Sequence, residues 1–355
     1  MAAKITHLEI YRQSLVLLEH GNDADQKIAS LLERDDLFRY GCAGAVSPDI
    51  FYYYHLLSAK KQKIGMNWGN RIHHGRVFEL ILAFLDRIRR DADEERRNKR
   101  LAFALGYISH CAADIVTHPY IFYITGNYYS PDRDEANRAQ ENHLRVENIL
   151  DSYLVYERWG ISPEKYNFLK YVDITEKYRR RKILDFDIWQ MWVNALSVVY
   201  PDEFRTEYPG SLQTIREDDL INDAFSGFLK FNRIVDTRSK VVRGLLRTID
   251  TVTFHRLKAR NLILPPRHMI DDRYPNTHRK PWKFPADPDR ISTESFNQLV
   301  HRAAEQSADW IRLARDFVAG KKSEKDFRPL IGYNLDTGTI TDSTGMFAFE
   351  PIPEV

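Results

Sequence analysis

Apolar residues recur along most of this chain at helical spacing. Tyr11, Leu15 and Leu18, then Ile28, Leu31 and Leu32, predict helix over 8–32, punctuated at Asp23 to Gln26. The Gly- and Ala-rich stretch 37–50 closes on Ser47-Pro48-Asp49, a tight entry into a new element, and 51–57 reads as a short turn or helix. Residues 65–70 read as a loop that delivers His73-His74 to the start of a helix. Leu80, Leu82, Phe84, Leu85 and Ile88 then predict a helix over 77–90, and 91–100 reads as a charged connection or helix end. A loop over 127–138 is expected to precede a helix over about 140–158. Helix is predicted again over 171–203, in two or three pieces over 210–259, and from a Ser292-Thr293-Glu294-Ser295 cap to about Ala319. Residues 264–290 read as irregular, and the last 30, with Gly332, Gly338 and Gly345, as a short hairpin or an extended tail. The expected fold is all-α, a multihelical bundle with additional C-terminal helices and an irregular tail. The chain divides into a helical domain over 1–200 and a helical extension and tail over 201–355, packed on the first.

One stretch breaks the separation of apolar from polar. Residues 101–116 are almost wholly apolar, yet include Ser109, His110 and Asp114. Isolated polar groups in such a setting are costly, so a buried Asp needs a cation or strong donors. His110, Asp114 and His118 are four residues apart and share one helical face. Pro119 predicts a helix end just after His118, which puts that ring at a helix mouth. His143 and Glu147 repeat the four-residue spacing. Taken alone, that pair reads as well as a solvated salt bridge, Asp49 as a helix N-cap, and His7 as part of a frayed terminus. Together with His73 or His74 they supply enough imidazole and carboxylate donors for two or three metal ions of the kind zinc represents.

The ordered set of motifs is more specific than any one of them. Thr6-His7, Gly44-Ala45-Val46-Ser47-Pro48-Asp49, Ile72-His73-His74-Gly75, Gly106 to Asp114 with His118-Pro119, and His143-Leu144-Arg145-Val146-Glu147 follow one another in the chain. In this the sequence resembles the zinc-dependent phospholipase C family, whose structural relatives include three-zinc, single-strand-specific nucleases. The resemblance covers residues 5–155 and continues weakly through Asn276 to Trp282 and Ser295-Phe296. It implies that Asp49, His73, His110 and Asp114 hold one Zn2+, that His118, His143 and Glu147 hold a second, and that Asp114 bridges to a third ion shared with His7. His74 remains the alternative to His73. In secreted members the terminal amine and carbonyl of a mature N-terminal Trp complete the third site. Here six residues precede His7 with no cleavage signal, so the third site is expected to be altered, weaker or absent. The implied activity is hydrolysis of a phosphodiester, phospholipase C-like, with Asp49 orienting or deprotonating the attacking water. A single-strand nuclease-like phosphodiesterase and a non-catalytic, metal-stabilised binding module are the alternatives.

Composition narrows the partners. With 52 basic and 50 acidic residues the net charge is +2, too balanced to argue for stable nucleic-acid binding. Cys42 and Cys111 could pair, but two cysteines make no disulfide framework. No apolar leader and no run long enough to span a bilayer is visible, so a cytoplasmic protein with at most peripheral membrane association is expected. The aromatic runs Phe51 to Tyr54 and Tyr120 to Tyr123 suit a lipid-headgroup pocket or base stacking, and equally plain helix packing.

Overall fold

The computed structural model describes residues 4–178, 181–253, 258–341 and 343–353. It is predominantly helical. Helices α1 (Lys4–Glu19), α2 (Asp23–Leu32), α3 (Asp35–Ala45), α4 (Ala59–His74), α5 (Val77–Arg89), α6 (Glu94–Thr125) and α7 (Arg133–Trp159) lead in order. A 3-10 turn, Pro48–Tyr53, joins α3 to α4. There follow α8 (Leu169–Val172), β1 (Thr175–Tyr178), β2 (Arg181–Leu184), α9 (Phe186–Val199), α10 (Pro201–Glu207), α11 (Leu220–Ile234) and α12 (Lys240–Val252). The chain ends in β3 (Trp282–Phe284), β4 (Asp287–Ser292), α13 (Phe296–Val318), β5 (Tyr333–Asn334) and β6 (Thr339–Ile340). The strands form three separate antiparallel hairpins.

The all-α class and the C-terminal helices are as expected, and α13 starts on a Ser295–Gln298 capping box. Several local readings are corrected. Residues 65–70 are not a loop but the middle of α4, so His73 and His74 close a helix instead of opening one. Residues 94–100 are the first turns of α6, and the helix after 127 begins at Arg133, capped by Asp132. Residues 175–178 and 181–184 pair as antiparallel strands inside the segment read as helix, and 282–284 and 287–292 pair inside the segment read as irregular. Within 210–259, α11 and α12 are present, while residues 254–257 lie outside the described residues.

Helix α6 is the axis on which the rest is laid. Its residues from Arg100 to Phe122 are buried without interruption. Helices α3, α5, α7, α9 and α13 pack around it. Its crossing with α3 is very close: a Cβ at Gly106 would stand 1.9 Å from the Gly41 carbonyl oxygen, and one at Gly44 would stand 2.0 Å from that of Phe103. Only glycine permits that approach, and it brings the Ala45 carbonyl and the turn carrying Asp49 against the polar face of α6.

Pro119 does not end α6, contrary to the sequence reading. The helix runs on to Thr125. Proline removes one N–H, leaving the carbonyl four residues back without its helical partner. That carbonyl, Ile115, is where the C-terminal hairpin touches down: a Cβ at Gly338 (φ +65°) would lie 2.4 Å from its oxygen and 2.8 Å from Pro119. Gly338 is therefore required both by its left-handed backbone and by the contact.

The N-terminal end of α6 is fixed by charge. Arg100 and Asp91 are buried together, 2.6 Å apart, with Arg96 on the other carboxylate oxygen at 2.5 Å. Arg100 also donates to the Asp187 carbonyl and to Gln190, tying α6 to α9. Arg96 and Arg100 outweigh burial and hold the Asp91 carboxyl down at about 2. Asp91→Ala leaves the buried Arg100 guanidinium with only a distant carboxylate, Asp187 at 3.8 Å, and should cost roughly 3–5 kcal/mol in urea unfolding; a loss below about 1 kcal/mol would contradict a buried pair. Because the folded pKa lies below its ordinary value of 3.8, this contribution is present above that pH and fades as pH falls toward about 2.

Candidate metal centre

Five helical elements and the C-terminal hairpin converge on one buried polar cluster. Helix α1 contributes His7, the 3-10 turn Asp49, the last turn of α4 His73, α6 His110, Asp114 and His118, and α7 His143 and Glu147. Within this cluster are three sets whose potential ligand atoms, inside each set, lie within 4.8 Å of one another: His7, His110 and Asp114; Asp49, His73 and His110; His118, His143 and Glu147. All eight residues proposed from the sequence are thus brought together.

Backbone carbonyls orient the rings. The Nδ1 of His73 lies 2.7 Å from the Gly69 oxygen, that of His110 2.9 Å from Ala45, and that of His118 3.2 Å from Leu335. A carbonyl only accepts, so each Nδ1 carries a proton and each Nε2 is directed into the centre. Adjacent to His73, His74 turns elsewhere: its Nε2 is 2.7 Å from Asp336 and 3.0 Å from the Tyr129 hydroxyl. His7 stacks on His110 with ring centroids 4.1 Å apart.

Asp114 is the hub. Its Oδ2 is 2.9 Å from His110 Nε2, and its Oδ1 is 3.4 Å from His118 Nε2 and 3.5 Å from His7 Nε2. It is 1% exposed, yet neither oxygen makes a hydrogen bond of proper geometry. Asp49 Oδ2, His110 Nε2, His7 Nδ1 and His143 Nδ1 are likewise buried without a hydrogen-bond partner. Buried polar atoms are otherwise almost always satisfied. Convergent imidazole and carboxylate donors in that state are the donor set Zn2+ takes, so the residues fit the ion.

In the metal-free protein these groups hold charge against one another. Burial resists ionisation of Asp114, but His110, His118 and His7 bring its carboxyl down to about 2. Burial likewise opposes charge on Asp49 and Glu147, yet His110 and His73, and His143, keep them below the ordinary carboxylate range. Burial also disfavours the imidazolium of His118, yet Asp114, Asp336 and Glu147 raise it to about 9. His7 goes the other way, to about 4, through burial and the neighbouring His110.

A sequence model of the zinc dependent phospholipase C family matches residues 6–201. The chain belongs to that family. No curated protein and no solved structure matches it. Membership and the three buried ligand groups together make this a zinc-binding, phosphodiesterase-like fold.

Within this family member, a residue at the centre that the sequence reading does not reach is Asp336, far outside the matched segment. Its Oδ1 stands 3.4 Å from His118 Nδ1, while Oδ2 accepts from His74 and from Tyr129. Its neighbour Leu335 bridges both halves of the centre through its backbone, donating to the His73 carbonyl at 2.9 Å and accepting from His118. Only the turn chemistry of Asn334 to Gly338 marks this segment in the sequence. Tyr128 and Tyr129, within the expected loop, carry no sequence signal either; Tyr128 lies 5.5 Å from the His143 ring. Of the two aromatic runs, Phe51, Tyr53 and Tyr54 are core, as is Tyr120, whereas Tyr52 and Phe122 reach the rings of His73 and His143. Arg145 faces away and donates to the Tyr274 hydroxyl.

If His118 ligates zinc, the metal must displace the proton that this ring holds. Binding at pH 7 should release about one proton from that ring, and apparent affinity should climb with pH until about 9. Titration calorimetry in buffers of different ionisation enthalpy reads the proton directly; a heat that does not depend on buffer would contradict a protonated His118. The His118 pairing stabilises the metal-free fold below the ring's ordinary 6.5 and is lost as pH rises through about 9.

Proposed function

We propose that the protein is a zinc-dependent hydrolase of phosphodiester bonds, phospholipase C-like, whose substrate is a lipid phosphodiester. The observation that carries this is Asp114: a buried carboxylate with both oxygens free of hydrogen bonds, each aimed at a different group of imidazoles. Asp49, His73, His110 and Asp114 are assigned to one zinc ion, and His118, His143 and Glu147 to a second. His110 offers one lone pair, since its other nitrogen is spent on Ala45, so it cannot serve the Asp49 group and the His7 group at once. This favours a two-ion core, with His7 and the Oδ1 of Asp114 the basis of any third site.

When bound, zinc lowers the pKa of a coordinated water and polarises a phosphoryl oxygen. The protein's own groups supply orientation and proton transfer. Asp49 is ionised, and its Oδ2 is free to align the attacking water and take its proton. Asp336 and the Leu335 carbonyl hold His118 in one tautomer and orientation, as outer partners of metal ligands do. Tyr52, Tyr128 and Tyr129, half-buried, form a rim of phenols that the ester substituents would meet.

The test is hydrolysis by zinc-loaded protein of bis(p-nitrophenyl) phosphate, phosphatidylcholine, phosphatidylinositol and single-stranded DNA. Lipid headgroup release is expected, with Asp49→Asn lowering kcat by about 100-fold or more. Cleavage of single-stranded DNA alone would transfer the reading to a nuclease-like enzyme. No turnover of any substrate would leave a metal-stabilised binding module instead, and an Asp49→Asn variant as active as the parent would remove Asp49 from the chemistry. Asp336→Asn should weaken zinc binding by about 10–100-fold in competition with a chromophoric chelator; unchanged affinity would remove Asp336 from the centre.

A further inference from the structure

Helix α12 carries an apolar stripe that no described residue covers. Val241, Leu245 and Val252 are 80%, 57% and 70% exposed. With Thr248 they follow a 4-3-4 spacing, which holds them within about 60° of one another around the helix. The opposite face is already used, with Leu246 and Asp250 buried against the body. The stripe is therefore a second apolar surface, beyond what packing requires. Lys240 and Arg247 lie together on one side of the helix, about 110–130° round from the stripe, between it and the buried face, exposed and without an ion pair among the described residues.

Charge says what covers it. Residues 230–267 hold ten Lys and Arg against two Asp, in a chain otherwise balanced at 52 against 50. A helix with exposed aliphatics bordered by cations, in a strongly basic segment, complements an anionic lipid surface: the aliphatics enter the headgroup boundary and the cations meet lipid phosphates. Nucleic acid would use the cations but leave the aliphatics in water.

The helix is also joined to the metal centre. Asp250 pairs with Arg260 in the turn Ala259–Leu262, and the Asn261 carbonyl accepts 2.8 Å from Asn148, which follows Glu147 on α7. Before α12, the chain borders a cavity of about 90 Å³ lined in part by Lys4, Tyr53, Leu144, Asn148, Arg238 and Leu262. Several of these stand beside proposed ligands: Leu144 follows His143, and Tyr53 closes the turn that carries Asp49. We propose that α12 docks the protein on an anionic lipid bilayer, seating the metal centre at the membrane surface. This rests on the lipid reading for its purpose, though not for its test.

Binding is scored by co-sedimentation with vesicles of phosphatidylcholine alone and of phosphatidylcholine with about one third phosphatidylglycerol, using full-length protein with and without zinc. The parent should pellet with the anionic vesicles. Val241→Ser/Leu245→Ser/Val252→Ser should lose about tenfold or more in partitioning, and Lys240→Glu/Arg247→Glu should lose the preference for anionic lipid. Both variants should keep the parent's kcat/KM toward bis(p-nitrophenyl) phosphate, showing that they fold. The proposal is overturned if the parent does not pellet, if both variants pellet as it does, or if the serine variant turns a dimer into a monomer, which would make the stripe a protein interface. Vesicle binding without hydrolysis would sink the proposed function alone. Hydrolysis of dispersed short-chain lipid without vesicle binding would sink the membrane-docking role alone.

Discussion

Everything around the centre answers to one constraint: Asp114 is ionised in the middle of an apolar helix with no hydrogen bond on either oxygen. Burying a carboxylate is expensive unless compensating charge is delivered to it. Here the compensation comes from elements widely separated in sequence, so the fold must bring them in with tight tolerance. The glycine crossing of α3 and α6 sets the Ala45 carbonyl behind His110 and places Asp49. Asp151 on α7 accepts from the backbone N–H groups of Ile5 and Thr6, which fixes the start of α1 and so the reach of His7. Each of these contacts serves the position of a ring or a carboxylate.

Much of the centre is legible in the sequence because it violates its surroundings. His110, Asp114 and His118 repeat every four residues in a stretch with almost no other polar group, and His143 with Glu147 repeats the pattern. His7 and Asp49 have no such local signature; only the ordered family motifs point to them. The choice between His73 and His74 cannot be read locally, because adjacent residues on a helix end differ only in what the tertiary structure puts beside them. One meets Asp49 and the other meets Asp336.

Where local pattern and structure part, the causes are physical and of the same kind. Pro119 is a local helix-stop signal, overridden because α6 is buried on all sides and the Gly338 turn fills the place where the helical bond is lost. Residues 65–70 look like a loop because two glycines, Gly65 and Gly69, and two asparagines, Asn67 and Asn70, fall within six positions, yet both glycines admit close neighbours, the Phe51 carbonyl and the Tyr52 ring. Asp336 is invisible in the sequence because its role depends on a tail that returns to His74 across 262 residues. Propensity covers a few turns of chain; contacts of this length are fixed by packing alone.

The decisive question is whether the unsatisfied carboxylate and its imidazoles hold metal. Elemental analysis of protein purified without added zinc tests this directly. About two equivalents of zinc per chain are predicted, falling below one in Asp114→Ala. Protein that carries no divalent metal, and takes up none when micromolar zinc is supplied, would contradict a metal centre built on Asp114.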